Sequence, residues 1–251
     1  MKIATWNVNG IRAREAQLLG WLERERPEVV CLQEIKASAV QVPVALRELE
    51  GYSCYWHGNK GYSGVALLLR RDAFEEEPRF AHPEFDHETR IVTAEVGKLL
   101  VASIYVPNGG KDFGAKIRFL EAMDRYASDA RARGQAVVLC GDLNVARTDA
   151  DVHPKERKPI IGQLPEERAL FERILAHGLV DVGRALDPDN TDLFTWWAPW
   201  RSMRQRNIGW RLDYLLASDS LAQRASRCVV QPDVGTSDHA PVIATFDAPP
   251  A

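Results

Sequence analysis

Four cysteines, Cys31, Cys54, Cys140 and Cys228, are spread through 251 residues without a CxxC pair, which argues against a zinc ribbon, a redox motif or a disulfide scaffold. Cys31 in VVCLQE and Cys140 in VVLCGD read instead as small core residues of a reducing compartment. No apolar run approaches the roughly 20 residues that a membrane-spanning helix needs, so no membrane partner is expected. The N-terminal MKIATWNVNG lacks the apolar stretch and small-residue cleavage site of a secretory signal, and a cytoplasmic chain beginning there is the expectation. An excess of positive charge is missing too. The formal net charge of -3 excludes a protein that coats polyanions by bulk attraction, so any polyanion partner must be met by local basic segments. Without a Gly/Ser linker, a composition break or a solenoid-type repeat, residues 1–251 are expected to form a single domain.

What is present is an ordinary globular composition, 45% hydrophobic and 27% charged, with enough apolar residues for a substantial core. The runs KIATWN, PEVVCLQE, YSCYWHG, GVALLLR, TRIVTAEV, LLVASIYVP, QAVVLCGD, RLDYLLAS, RCVVQP and PVIATF read as short strands closed by turn formers. Helical patterns span Ala13 to Arg26, Pro43 to Leu49, Phe113 to Arg133 and Pro165 to His177. In the third, Phe119, Leu120, Met123, Tyr126, Ala127 and Ala130 share one face while Arg118, Glu121, Arg125 and Asp129 share the other. Alternation of the two kinds predicts one α/β domain with sheet inside and helices outside. The irregular segments Thr148 to Leu164 and Pro188 to Arg206 are too long for plain connections and read as functional loops.

Polar residues collect at strand ends. Asn7 and Asn9 follow the first strand, Gln33 and Glu34 end the second, Tyr105 and Asn108 close LLVASIYVPN, and Asp142 and Asn144 close VVLCGDLN. Each pair alone has a backbone explanation in turn formation. In GDLN an extended chain would place Asp142 and Asn144 on one face and Leu143 on the other. Asp213 lies inside the apolar WRLDYLL, where a carboxylate costs several kcal/mol unless it is paired or binds a cation. His239 in TSDHAPV is its natural partner, held in one tautomer by the carboxylate. If Glu34, Asp142, Asn144 and Asp238 converge, the all-oxygen donor set suits Mg²⁺ or Mn²⁺ and a phosphate ester substrate.

WNVNGIRAR, LQEIK, GYSGVALL, YVPN, GDLNVA, GWRLDYLLAS and SDHAPV occur in an order and spacing that resemble the exonuclease III class of abasic-site endonucleases, from Met1 to about Phe246. SDHAPV is shared across the wider endonuclease, exonuclease and phosphatase superfamily, while GWRLDY and NVNGIRAR point to its DNA-repair branch. The resemblance implies a deoxyribonuclease-I-like, four-layer α/β sandwich of two mainly antiparallel, mixed sheets flanked by helices. It implies a central metal ligand in Glu34, with Asn7 or Asn9, Asp142, Asn144 and Asp238 around the ion. Asp142 would activate the attacking water, Asn144 would stabilise the transition state, His239 would contact the scissile phosphate under orientation by Asp213, and Tyr105 would stand close to the phosphate as phenolate or as hydrogen-bond donor.

The implied reaction is magnesium- or manganese-dependent hydrolysis of the phosphodiester 5′ to an abasic site in double-stranded DNA, by a monomer that is nucleoid-associated in a prokaryote, with 3′-5′ exonuclease or 3′-phosphodiesterase side activity. DNA contacts are implied for Arg12, Lys60, Tyr62, Asn108, Lys111 and Trp200, with Trp196, Trp210 and Leu212 forming an apolar pocket for the base-less sugar. Trp197 is read as core. Further basic candidates near motif loops are Arg14, Lys36, Lys155, Arg157 and Lys158, and Arg201, Arg204, Arg206 and Arg211 crowd one segment, about half of these nine together with Arg12, Lys60 and Lys111 being ordinary solvated charge. The short loop YVPNGGKDFGAK and the replacement of methionine and arginine by Trp200 and Lys111 leave the balance of endonuclease and exonuclease activity, and incision at uracil or uridine, open. Rival readings are a phosphoinositide or RNA phosphodiesterase with the same metal site, or a non-catalytic binding member of the fold.

Overall fold

All ten apolar runs become strands in the computed structural model, which describes residues 1–247. In chain order the elements are β1 (Lys2–Asn7), α1 (Ile11–Glu25), β2 (Val29–Gln33), α2 (Val44–Arg47), β3 (Tyr52–Asn59), β4 (Tyr62–Arg70), β5 (Arg79–Ala81), β6 (Ile91–Val96), β7 (Leu99–Tyr105), α3 (Phe113–Ala132) and β8 (Ala136–Asp142). They continue with α4 (Pro165–Leu175), β9 (Leu179–Asp181), α5 (Val182–Leu186), β10 (Asp213–Ser218), α6 (Asp219–Ala222), β11 (Ala225–Val230) and β12 (Val242–Phe246). The four expected helices are present with ends shifted by at most two residues. The short α5 and α6, and the three-residue edge strands β5 and β9, are too brief to carry a period and were not expected.

Two six-stranded sheets form, ordered β11-β12-β1-β2-β4-β3 and β5-β6-β7-β8-β10-β9. Apolar residues from both, among them Ile3, Cys31, Leu67, Val101, Cys140 and Leu215, fill the space between them. Alternate residues of the first sheet face Leu18, Trp21 and Leu22 of α1, and those of the second face α3 and α4 through Phe119, Met123, Phe171 and Ile174. The result is a four-layer sandwich, helix on sheet on sheet on helix, with the deoxyribonuclease-I-like architecture expected.

Pairing is antiparallel except for β1 with β2 and β7 with β8. A parallel pair requires a crossover, supplied here by α1 and α3, and it brings both C-terminal strand ends to one edge. β1 and β8 hold equivalent places in their sheets, third in one order and third from the end in the other, each with its parallel neighbour alongside. β8 approaches β7 so closely at Gly141, φ 147°, that a Cβ there would lie 2.0 Å from Ile104 O. Any side chain would push the strands apart one residue before Tyr105 and Asp142.

Candidate active site

The two parallel pairs decide where the polar groups meet. In register, Asn7 lies beside Gln33, Tyr105 beside Asp142, and Asp213 opposite Asp142. The Asn7 amide then joins the sheets: Nδ2 donates to Asp142 Oδ2 at 2.9 Å and to Glu34 Oε2 at 3.1 Å. Lys36 Nζ meets the other Glu34 oxygen at 2.8 Å and donates to Asn9 Oδ1 at 2.6 Å. Asn9 Nδ2 donates to Asp238 Oδ1 at 2.8 Å, and Trp196 Nε1 donates to Asp238 Oδ2 at 3.0 Å.

Left-handed backbone aims several of these side chains, Lys36 with φ 51° among them. Asn9, Glu34 and Asn144 have φ of 45°, 55° and 51°, a region that costs non-glycine residues of order 1–3 kcal/mol each. For Asn144 this corrects the expectation of an extended GDLN. Strand pairing stops at Asp142, the chain turns, and the Asn144 N–H donates to Asp142 Oδ1 at 2.9 Å. Turn formation and side-chain placement are thus one device, and Leu143 still enters the core.

Asp213 Oδ2 accepts from His239 Nδ1 at 2.8 Å and from Thr195 Oγ1 at 2.6 Å. The other ring nitrogen, Nε2, faces Asp142 Oδ2 at 3.8 Å. Burial works against an imidazolium here, but the carboxylates of Asp213, Asp142 and Asp238 outweigh it and raise the His239 pKa to about 10. Burial likewise opposes the charge of Asp238, yet His239 and the bonds from Trp196 and Asn9 lower its pKa. Tyr105 is driven the other way: burial, then the charges of Glu34 and Asp142, raise its phenol well above the ordinary value and favour a protonated donor over a phenolate.

A histidine whose folded pKa is raised contributes stability in full below its unfolded value of 6.5, and that contribution is lost as pH rises through about 10. In metal-free protein the His239 ring is expected to stay protonated to about pH 10, and in Asp213→Asn to titrate at lower pH. Ring ¹⁵N shifts followed against pH check this, and identical titration of the two proteins contradicts it.

Asp142, Asp213 and His239 place ligand atoms within 4.8 Å of one another and could hold a metal ion. Asp213 and His239 already bond each other, however, and the ring carries charge. The oxygens of Glu34 and Asp142, drawn together by one amide from opposite sheets, are the donors that fit a hard divalent cation. Asp213 Oδ1 is buried without a hydrogen-bond partner among the described residues, so the cluster keeps negative charge that no protein donor meets.

Several supporting residues escaped the sequence reading. Buried Lys116 pairs with buried Glu167 and donates to the Asn144 carbonyl at 2.7 Å, and Glu167 accepts from Gly162 N. Its signal was a lysine on the apolar face of α3. Thr195 and Ser237 fix Asp213 and the Asn7 carbonyl. Buried Arg90 sits 4.7 Å over the Tyr105 ring and donates to Tyr62 at 3.0 Å, while Lys111 Nζ lies 5.7 Å over Tyr62. Arg12, Lys60, Tyr62, Asn108, Lys111 and Trp200 are exposed. Trp196 packs edge-on to Trp210 at 5.8 Å, and Trp210 and Leu212 close a small apolar cluster with Ala146 and Val152. Trp210 Nε1 is buried there with no acceptor among the described residues. Trp197 is core, as expected.

Two of the basic candidates need correcting. Arg211 is buried between Asp151 and Asp181, at 2.7 and 2.5 Å. Arg204 covers the Trp197 ring at 4.9 Å and caps the carbonyls of Pro232 and Val234. Both are committed to the protein's own loops.

Residues 4–239 match the model of the endonuclease/exonuclease/phosphatase family. An exodeoxyribonuclease of Bacillus subtilis is 36% identical over 250 residues, 96% of this chain and 98% of that protein. The solved structure of an AP endonuclease from Archaeoglobus fulgidus superposes with a TM-score of 0.89 at 31% identity, covering 99% of this chain and 100% of its own. That of a 3′ phosphatase from Neisseria, bound to a product DNA hairpin, gives a TM-score of 0.90 at 32% identity with the same coverage.

Proposed function

The chain belongs to the endonuclease/exonuclease/phosphatase family, in its exonuclease III-type branch of nucleases, and on that premise we propose that it is a DNA-repair endonuclease that hydrolyses the phosphodiester 5′ to an abasic site in duplex DNA. The observation that carries the reading is the clamp of Glu34 and Asp142 by Asn7, set beside the Asp213–His239 pair and an apolar cluster tied to Asp238 by Trp196. The cluster answers to a base-less sugar, and the exposed Arg12, Lys60, Asn108, Lys111 and Trp200 answer to the flanking strands.

Glu34 and Asp142, with Asn7, Asn9, Asn144 and Asp238 around them, would hold magnesium or manganese, which when bound neutralises phosphate charge and acidifies water. Asp142 takes a proton from the attacking water as its oxygen bonds to phosphorus in line with the departing 3′-oxygen. His239, charged and aimed by Asp213, donates from Nε2 to a phosphate oxygen, and Asn144 and the Tyr105 phenol stabilise the charge that builds there. The leaving oxygen takes a proton from solvent water, giving a 3′-hydroxyl and a 5′-deoxyribose phosphate.

A second reading, favoured by the DNA-bound Neisseria relative, is 3′-end processing by the same groups, either 3′-phosphate removal or 3′-5′ exonuclease action. One assay separates these. A duplex carrying a single abasic analogue is expected to be nicked in magnesium and spared in EDTA, and a 3′-phosphate duplex reports the second activity. Cleavage of RNA or a phosphoinositide, with no nicking of the abasic duplex by folded protein, would overturn the assignment.

A further inference from the structure

A second group of metal-ligating side chains lies outside the active site. His57 on β3, with His82 and Asp86 between β5 and β6, bring one ligand atom each within 4.8 Å of one another. His57 Nε2 and Asp86 Oδ2 stand 2.6 Å apart. The rings of His57 and His82 stack with centroids 4.5 Å apart and planes inclined by 10°. Asp86 Oδ1 is engaged elsewhere, accepting from the backbone N–H groups of Arg90 at 2.8 Å and Ile91 at 3.1 Å, and this holds Oδ2 toward the histidine. The three ligands therefore come from two separate chain segments, and one of them is already locked in orientation by backbone donors, as metal ligands commonly are.

We propose that His57, His82 and Asp86 form a second metal site, selective for a divalent transition metal of the zinc class. Two imidazole nitrogens and one carboxylate oxygen are zinc's preferred donors, whereas magnesium avoids imidazole and belongs with the oxygens of Glu34 and Asp142. Metal–ligand distances of about 2.0–2.2 Å need ligand atoms a little over 3 Å apart, so exposed His82 has to swing inward and the close His57–Asp86 contact has to open slightly. The ion takes the place of the hydrogen that now joins His57 Nε2 to Asp86 Oδ2, and in the neutral ring that hydrogen moves to Nδ1. Three protein ligands leave a position for water. The site also has a route to the nuclease centre: Asp86 fixes the Arg90 backbone, and Arg90 stands against Tyr105 and Tyr62. Occupancy ties β3 to this loop and slows the opening that exposes the Arg90 and Ile91 amides.

The test is titration of the intact protein with Co²⁺ and Zn²⁺ in excess magnesium. A visible d–d band with one-to-one stoichiometry, displaced by Zn²⁺, is expected. His57→Ala and the exposed His82→Ala should each weaken it about tenfold or more, while Asp142→Asn keeps it. Hydrogen exchange at Arg90 and Ile91 should slow on Zn²⁺ addition in wild type and not in His82→Ala. Absence of a saturable band in wild type, an unchanged affinity in His82→Ala, or loss of the band in Asp142→Asn would each overturn the proposal, the last by assigning the ion to the active site.

Discussion

Asp142→Asn is expected to reduce incision of an abasic duplex by about 10⁴-fold or more while leaving a folded protein. The asparagine keeps the shape and an oxygen for the Asn144 N–H, so the turn after β8 survives. On the proposed mechanism, what disappears is the charge that would take the water's proton and face the ion. A thermal signature should accompany the loss. Burial, helped by Asp213 and opposed by His239, Asn7 and Asn144, raises the Asp142 pKa to about 7. A carboxyl whose folded pKa exceeds its unfolded value of 3.8 destabilises the fold increasingly as pH climbs from that value through about 7. In EDTA, wild type should therefore lose melting temperature relative to the variant as pH rises from about 5 to 8, whatever fixed cost the variant carries for the bond from Asn7 to Oδ2. Activity within tenfold of wild type removes Asp142 from the mechanism, and a melting difference that stays constant over that pH range contradicts the account of its burial.

The second large effect concerns stability. Arg211→Met should destabilise the protein by about 3 kcal/mol, a melting temperature lower by roughly 6–12 °C. The guanidinium is buried, bonded to Asp151 and twice to Asp181, and stacked 4.5 Å over Tyr214. Its pKa is raised, because Asp181, Tyr214 and Asp151 together outweigh the burial that opposes its charge. Removing it strands two buried carboxylates. Arg184 still reaches Asp151 at 2.8 Å and Arg147 lies 3.6 Å from Asp181, which holds the cost to the lower end of the range for a broken buried pair. Denaturant unfolding measures the loss. The salt dependence of DNA binding should stay that of wild type, and a flatter salt slope with unchanged stability would restore Arg211 to the DNA-binding surface.

Arg211 also shows where reading a sequence stops. Beside Arg201, Arg204 and Arg206 it looks like surface charge, and only the fold brings Asp151 and Asp181 to it. The central strands were legible because an apolar run between turn formers has few other uses. Three-residue strands such as β5 and β9 carry no such pattern; they form because neighbours offer an edge. At the active site, Asp213 announced itself as a carboxylate in an apolar strand, and its pairing with His239 follows from the cost of burying it alone. Lys116 left one trace, a lysine on the apolar face of α3, but its partner Glu167 and the buried Arg90 were illegible for the opposite reason. Each is an ordinary charged residue whose burial depends on a distant loop. The turn at Asn144 was misread because alternation predicts an extended chain until a positive φ interrupts it.

The pairing of β1 with β12 fixes when the enzyme can exist. Lys2 lies opposite Thr245, and the Trp6 indole donates to the His239 carbonyl across 233 positions of sequence. Asn7 and Glu34 leave the ribosome well before Asp213, Asp238 and His239, which stand more than 170 residues further along the chain. Contacts of such separation form late in folding. A growing chain thus carries an incomplete cluster until Asp238 and His239 have emerged, and one that ends before them never completes it.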